Sequence, residues 1–65
     1  MFALNLRRLR TERDLTQEKL ADLAEIDRTY VSALERQVYS ASLDTIEKLA
    51  DVLGVDPQRL LEPVA

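Results

Sequence analysis

The stretch Thr16–Arg36, TQEKLADLAEIDRTYVSALER, decides the fold, because it predicts two short helices joined by a tight turn. Thr16 is suited to cap the first of these helices, since its hydroxyl can accept a backbone N–H that the first turn leaves unpaired. Asp27 is suited in the same way to cap the second. Val31 and Leu34 then face inward at helical spacing. The second helix is therefore expected to present a polar face outward.

That outward face carries residue types that can read the edges of bases in a DNA major groove. Arginine can pair with guanine through O6 and N7, threonine and alanine can touch a thymine methyl, and serine can bond to a base or a phosphate. We expect Arg28, Thr29, Ser32 and Ala33 to contact bases, with Ala33 allowing close approach. Arg36 is a candidate for a phosphate contact, or it only places a favourable charge near the end of its helix.

Helical patterns continue on both sides of this pair. We expect one domain over residues 1–65, with helices at about 3–13, 16–24, 28–36, 43–53 and 57–62, numbered 1 to 5. Helix 4 is the clearest, because Ser42 can cap it and Gly54 stands where a left-handed C-terminal residue belongs. Asp56 and Pro57 suit the cap and the first position of helix 5.

An ordered set of residues resembles the Cro/phage-repressor (XRE) family over about Phe2 to Leu61, nearly the whole chain. The resemblance implies an all-α, compact five-helix lambda-repressor-like DNA-binding domain, with a helix-turn-helix at helices 2 and 3. The matching positions are Leu15-Thr16-Gln17, Leu20-Ala21, Ala24, Ile26, Val31, Leu34-Glu35-Arg36, Ser42-Leu43, Ile46, Leu49-Ala50 and Leu53-Gly54-Val55.

The resemblance also implies contacts outside helix 3. The N-terminus of helix 2 points at the DNA backbone in this fold, and its free amides favour a phosphate. We therefore expect Thr16 to contact phosphate and Gln17 to reach a base edge; alternatively, both only cap the helix. Tyr39 and Ser40, in the loop after helix 3, are candidates for phosphate contact, although Val38 and Tyr39 exposed together would instead indicate a partner surface.

A structural ion pair between Arg10 and Glu35 is likewise implied, tying helix 1 to helix 3. A carboxylate on an inward edge needs a partner, and arginine offers a bidentate fork. Arg8 and Arg13 of helix 1 are interpreted mainly as solvated side chains.

The chain departs from the family where glycine is common. Asp14 and Glu25 occupy two such turn positions, and aspartate tolerates a positive φ better than most residues. At Glu25 a left-handed conformation would cost about 1 kcal/mol, so either Glu25 accepts that strain or the turn differs locally. Gln37 stands at a third, so helix 3 either runs past Arg36 or ends on a strained Gln37.

Composition limits the possible functions. The chain has 65 residues, 46% of them hydrophobic, without Cys or His, which excludes disulfides and thiolate or imidazole metal sites. We expect no cofactor, no metal, no small-molecule ligand, no membrane segment and a cytoplasmic location. An enzyme is not expected, because no nucleophile–base set, phosphate loop or metal cluster is visible. The net charge of −3 arises in residues 37–65, while residues 1–36 are neutral, so the basic footprint on DNA is modest.

The combined expectation is a sequence-specific regulator of transcription that binds double-stranded DNA. We expect a homodimer on a two-fold symmetric operator, with Leu61 and Val64 at the dimer interface, and a repressor more than an activator. A restriction–modification controller protein that activates or represses is one alternative. A protein-interaction module of the same fold that has lost DNA binding is the other.

Overall fold

The computed structural model describes residues 1–63 and forms five helices with no strand among those residues. The expected all-α, five-helix fold is confirmed. Helix ends lie within one residue of the expected positions, and Thr16 and Arg36 flank their helices as caps instead of belonging to them. The helices are α1 (Phe2–Glu12), α2 (Gln17–Ala24), α3 (Arg28–Glu35), α4 (Leu43–Leu53) and α5 (Pro57–Leu61).

Side-chain caps fix where four of these helices begin, α2 to α5. The hydroxyl of Thr16 accepts the backbone N–H of Lys19 at 3.0 Å, which satisfies an amide that has no partner inside α2. Ser42 accepts the backbone N–H of Thr45 at 3.2 Å at the start of α4. Asp27 caps α3 through the backbone N–H of Thr29, and Asp56 caps α5 through the backbone N–H of Gln58 at 3.2 Å.

Every helix contributes one fully buried leucine to a single core. These residues are Leu6, Leu20, Leu34, Leu49 and Leu60. Helices α2 and α3 pack on each other, α1 also packs on α3, and α4 packs on α2. The pair formed by α2 and α3 is therefore supported by α1 and α4. Burial of a leucine side chain contributes about 2 kcal/mol to stability, so these contacts fix the angle between α2 and α3.

Three residues other than glycine take the left-handed conformation, at Asp14, Glu25 and Gln37, with φ of 55°, 59° and 62°. The turns after α2 and α3 require it, because the chain folds back to hydrogen-bond the helix end. The N–H of Ile26 donates to the Ala21 carbonyl at 3.0 Å, and that of Val38 to the Ala33 carbonyl at 2.9 Å. Glu25 therefore accepts the strain, and α3 does not run past Arg36.

Two polar side chains of α1 hold distant parts of the chain. Asn5 is buried, and its amide donates to the carbonyls of Leu60 at 2.9 Å and Glu62 at 2.6 Å. Arg13 is exposed, as expected, and its guanidinium also donates to the Leu53 carbonyl at 2.6 Å. Both contacts satisfy carbonyls at helix ends that have no partner within their own helix.

In residues 1–63, no helix has the length and apolar character needed to cross a membrane.

Candidate nucleic-acid interface

The N-termini of α2 and α3 meet at an open cleft. The turn 25–27 joins the two helices, and side chains from their first turns meet there, with Glu18 of α2 4.0 Å from Arg28 of α3. The cleft is lined by Arg10, Thr16, Gln17, Glu18 and Arg28. It therefore brings together four residues with predicted roles and one, Glu18, for which no role was predicted.

The base of the cleft is an ion pair between α1 and α3. Arg10 donates from Nε to Oε2 of Glu35 at 2.7 Å and from Nη2 to Oε1 at 3.0 Å. Its Nη1 donates to the Leu15 carbonyl at 2.8 Å. The two side chains are only 12% and 4% exposed. The hydrogen bonds to Glu35 raise the pKa of Arg10 above its ordinary value, so this guanidinium is a fixed charge committed to the fold.

Gln17 joins this pair from α2. Its amide nitrogen donates to Oε1 of Glu35 at 3.0 Å, so a single carboxylate links three helices. One amide hydrogen is thereby used within the protein, while the second hydrogen and the amide oxygen make no hydrogen bond among residues 1–63. The expected base contact of Gln17 is thus restricted to those two groups.

The first turn of α3 holds Arg28 and Thr29. The Arg28 side chain is 63% exposed, and its Nη1 lies 4.0 Å from Oε2 of Glu18. Asp27 accepts both the hydroxyl of Thr29 at 2.6 Å and its backbone N–H at 2.8 Å. These two hydrogen bonds, of which the one from the hydroxyl has the larger effect, hold the pKa of Asp27 below its ordinary value. The methyl and the oxygen lone pairs of the exposed Thr29 remain available to a partner.

The second turn of α3 differs in part from the expectation. Ser32 is half-buried, and the exposed Arg36 donates from Nε to the Ser32 carbonyl at 3.4 Å. Ala33 is only 4% exposed, so its expected position among the base-contacting residues is wrong. The chain turns back over this side of the helix, where the N–H of Val38 bonds to the Ala33 carbonyl. The exposed polar face is accordingly narrower than the spacing of residues predicted.

The predicted phosphate contacts Tyr39 and Ser40 lie at a different depression from the cleft. Leu61, a predicted dimer contact that is 51% exposed, lines the same depression, together with Phe2 and Ala41. The rings of Tyr30 and Tyr39 meet edge to face with centroids 6.4 Å apart. Val64, the other predicted dimer contact, lies outside the described residues. The structure therefore places predicted phosphate and dimer residues on one surface.

Sequence reasoning gave no role to Glu18. It is the second residue of α2, and its side chain is 81% exposed. An acidic residue in a first helical turn is ordinarily explained by the helix dipole. Only the packing angle of α2 and α3 shows that this carboxylate lies beside Arg28, so spacing along the chain held no signal for it.

Comparison with known proteins relates the chain to regulators of transcription. A family model described as helix-turn-helix matches residues 6–60. A hypothetical transcription factor of Neisseria meningitidis serogroup B is 44% identical over 63 residues, which cover 97% of this chain and 59% of that protein. The chain thus spans about three-fifths of that relative.

Solved structures agree in fold over most of the chain. The restriction–modification controller protein C.AhdI from Aeromonas hydrophila superposes with a TM-score of 0.89 and 46% identity, covering 91% of this chain and 89% of that one. SinR, a master regulator for biofilm formation solved in complex with DNA, superposes with a TM-score of 0.91 and 28% identity, covering 95% of this chain and all of that one.

Proposed function

Because the chain belongs to the helix-turn-helix family, whose model covers residues 6–60, we propose that it is a sequence-specific regulator of transcription that binds double-stranded DNA. The observation that carries this proposal is the exposed N-terminal turn of α3. It presents Arg28 and Thr29 beside the capped start of α2, on a helix that Arg10 and Glu35 lock to α1. A helix held at a fixed angle with an exposed arginine near its N-terminus suits insertion into a major groove.

Base reading in this proposal is the work of four side chains. Arg28 donates to guanine, the methyl of Thr29 contacts thymine, and Ser32 and Gln17 bond to base edges through their remaining polar atoms. The SinR structure supports DNA binding by this fold, because SinR shares the fold over 95% of this chain and was solved with DNA.

Phosphate contacts position the protein on the duplex. Thr16 stands at the N-terminus of α2, where free amides favour an anion. The exposed Arg36, Tyr39 and Ser40 extend this set beyond α3. Since Arg10 and Arg13 are engaged within the protein, we infer that few cations contact phosphate and that affinity falls only modestly with salt.

Homodimerisation is part of the proposal. One recognition helix with a few reading side chains gives little affinity, whereas two of them about 34 Å apart read both halves of a symmetric site. Leu61 supports a self-complementary contact, because it is exposed at the edge of an apolar depression that also involves Phe2. Repression follows most simply, because occupation of a promoter needs no further surface. We also infer that the protein is not an enzyme and acts in the cytoplasm.

A role as a restriction–modification controller is the second candidate. The 46% identity with C.AhdI over 89% of that protein favours it. Asp44, Glu47 and Asp51 form an exposed acidic face on α4 that is available for activation. Both candidates require the same DNA interface and differ in the position of the operator relative to the promoter.

Selection of bound duplexes from a random DNA pool tests the proposal. We expect the 65-residue chain to enrich a two-fold symmetric site at low and moderate salt, and Arg28→Ala to lose that enrichment. Glu47→Gln, which changes a glutamate on the outer side of α4, is the matched control and should recover the same site. Enrichment of nothing by a protein that is folded by circular dichroism would favour the protein-interaction alternative.

A further inference from the structure

The proposed function assigns no role to the ion pair that Arg28 forms with Glu18. Both side chains lie at the mouth of the cleft, 63% and 81% exposed, with Nη1 and Oε2 4.0 Å apart. Exposed pairs of this kind contribute little to stability. The pair is therefore poorly explained as a structural contact, in contrast to the buried pair of Arg10 and Glu35 behind it.

Among the charged side chains of residues 1–63 that line the cleft, Glu18 and Arg28 are left to meet a base. The guanidinium of Arg10 is bonded through all three nitrogens, and Gln17 is tied to Glu35. Glu18 and Arg28 make no other side-chain hydrogen bond or ion pair among residues 1–63. A duplex whose major groove receives α3 at its N-terminal turn therefore meets one strong donor and one strong acceptor side by side.

Such a combination is selective in a major groove. Guanine offers two acceptors, N7 and O6, which match arginine, whereas cytosine offers the N4 amino donor, which matches a carboxylate. A carboxylate is repelled by the acceptor atoms on guanine and on the O4 of thymine. Adenine also offers an amino donor at N6, but it stands beside the acceptor N7, so the base that suits Glu18 best is cytosine.

We propose that Glu18 is a specificity-determining residue that accepts a hydrogen bond from cytosine N4 while Arg28 binds a guanine on the neighbouring base pair. Successive base pairs are about 3.4 Å apart along the duplex axis, close to the separation of the two charged groups. The two side chains keep their attraction for each other in the complex, so neither loses its partner on binding. This proposal rests on the proposed DNA binding and adds one base position to the reading surface.

The test measures affinity for the selected duplex and for versions that carry each other base pair at every position of the half-site. The guanine that Arg28 binds is identified as the position at which Arg28→Ala loses its base preference. At the neighbouring position, wild-type protein should bind the duplex with cytosine about tenfold more tightly than the duplex with thymine. Glu18→Ala should reduce that ratio to about twofold or less and leave the guanine preference intact. Glu47→Ala, the matched control on α4, should leave every ratio unchanged.

Three results would overturn the proposal. Unchanged base preferences in Glu18→Ala would show that the carboxylate does not read a base. Tighter binding of all duplexes by one common factor would show that Glu18 acts only through its charge on the DNA backbone. If Glu18→Ala and Arg28→Ala changed the preference at the same base pair, the arrangement on neighbouring base pairs would be contradicted.

Failure of the proposed DNA binding can be distinguished from failure of the role of Glu18. If the wild-type protein binds no duplex at all, DNA binding is refuted and the role of Glu18 falls with it. If the wild-type protein binds a defined site and Glu18→Ala shares all its preferences, only the role of Glu18 is refuted. Circular dichroism spectra of the variants establish that each is folded, which is expected because the Glu18 side chain is largely exposed.

Discussion

Arg10 and Glu35 form two parallel hydrogen bonds, 2.7 and 3.0 Å long, between α1 and α3. The same carboxylate accepts the amide of Gln17 from α2 at 3.0 Å. Because the Glu35 side chain is only 4% exposed, either charge would be left unpaired and desolvated if its partner were removed. The pair therefore fixes the orientation of α3 relative to α1 and α2.

Removal of one member of this pair should destabilise the protein. We expect Arg10→Met or Glu35→Gln alone to lower the free energy of unfolding by about 3 kcal/mol, because each leaves an uncompensated charge. The double variant Arg10→Met/Glu35→Leu should recover much of that loss, since neither charge remains. Urea unfolding of the four proteins provides the measurement. Equal stability of wild type and both single variants would contradict the assigned role.

The left-handed turn after α2 predicts a stabilising substitution. Glu25 has a φ of 59°, a conformation that costs a residue with a Cβ about 1 kcal/mol and costs glycine much less. We expect Glu25→Gly to raise the melting temperature. Asp14→Gly is the matched control, because aspartate tolerates its φ of 55° better and the gain should be smaller. A lower melting temperature for Glu25→Gly would show that Glu25 is not strained.

The cap of α3 predicts a loss of stability in acid. The hydroxyl and then the N–H of Thr29 hold the pKa of Asp27 below its ordinary value. Folding thus favours the carboxylate, and its contribution is complete above the unfolded-state pKa of about 3.9 and is lost as the pH falls through the folded-state value. An asparagine at this position can still cap the helix but does not titrate. Below about pH 4, wild type should lose melting temperature relative to Asp27→Asn; parallel curves would contradict this role.

Asn5 predicts a link between α1 and the end of α5. Its amide satisfies the carbonyls of Leu60 and Glu62, and loss of a buried hydrogen-bond partner costs about 1 to 3 kcal/mol. We expect Asn5→Ala to destabilise the protein by that amount in urea unfolding and to weaken dimerisation, because Leu61 follows Leu60 directly. Leu4→Ala, which changes a neighbour that is 47% exposed, is the control. An effect no larger than that of the control would contradict the link.

The helices and the core could be predicted from the sequence because their signals are local. The caps Thr16, Asp27 and Ser42 mark helix starts, and apolar residues at helical spacing mark the buried faces. Spacing could not place Ala33, because its burial depends on how the chain turns back after α3. The three left-handed residues stand where glycine is common in the family, but their own residue types did not by themselves indicate a positive φ.

The side-chain contacts of the candidate interface were less predictable. The partners of Asn5 are 55 and 57 residues away along the chain, and Arg13 bonds to a carbonyl 40 residues away. Glu18 meets Arg28 only because α2 and α3 pack at a particular angle. No local pattern encodes such distances, whereas the pairing of Arg10 with Glu35 was inferred from the resemblance to a family.

In the proposed complex, DNA binds the N-terminal turns of α2 and α3. Titration of ¹⁵N-labelled protein with the selected duplex, followed by amide chemical shifts, tests it most directly. We expect the largest shifts at Thr16, Gln17 and Glu18 and at Arg28, Thr29 and Ser32, with little change at Asp44, Glu47 and Asp51 on α4. Shifts concentrated on α4, or none at a saturating concentration of duplex, would contradict it.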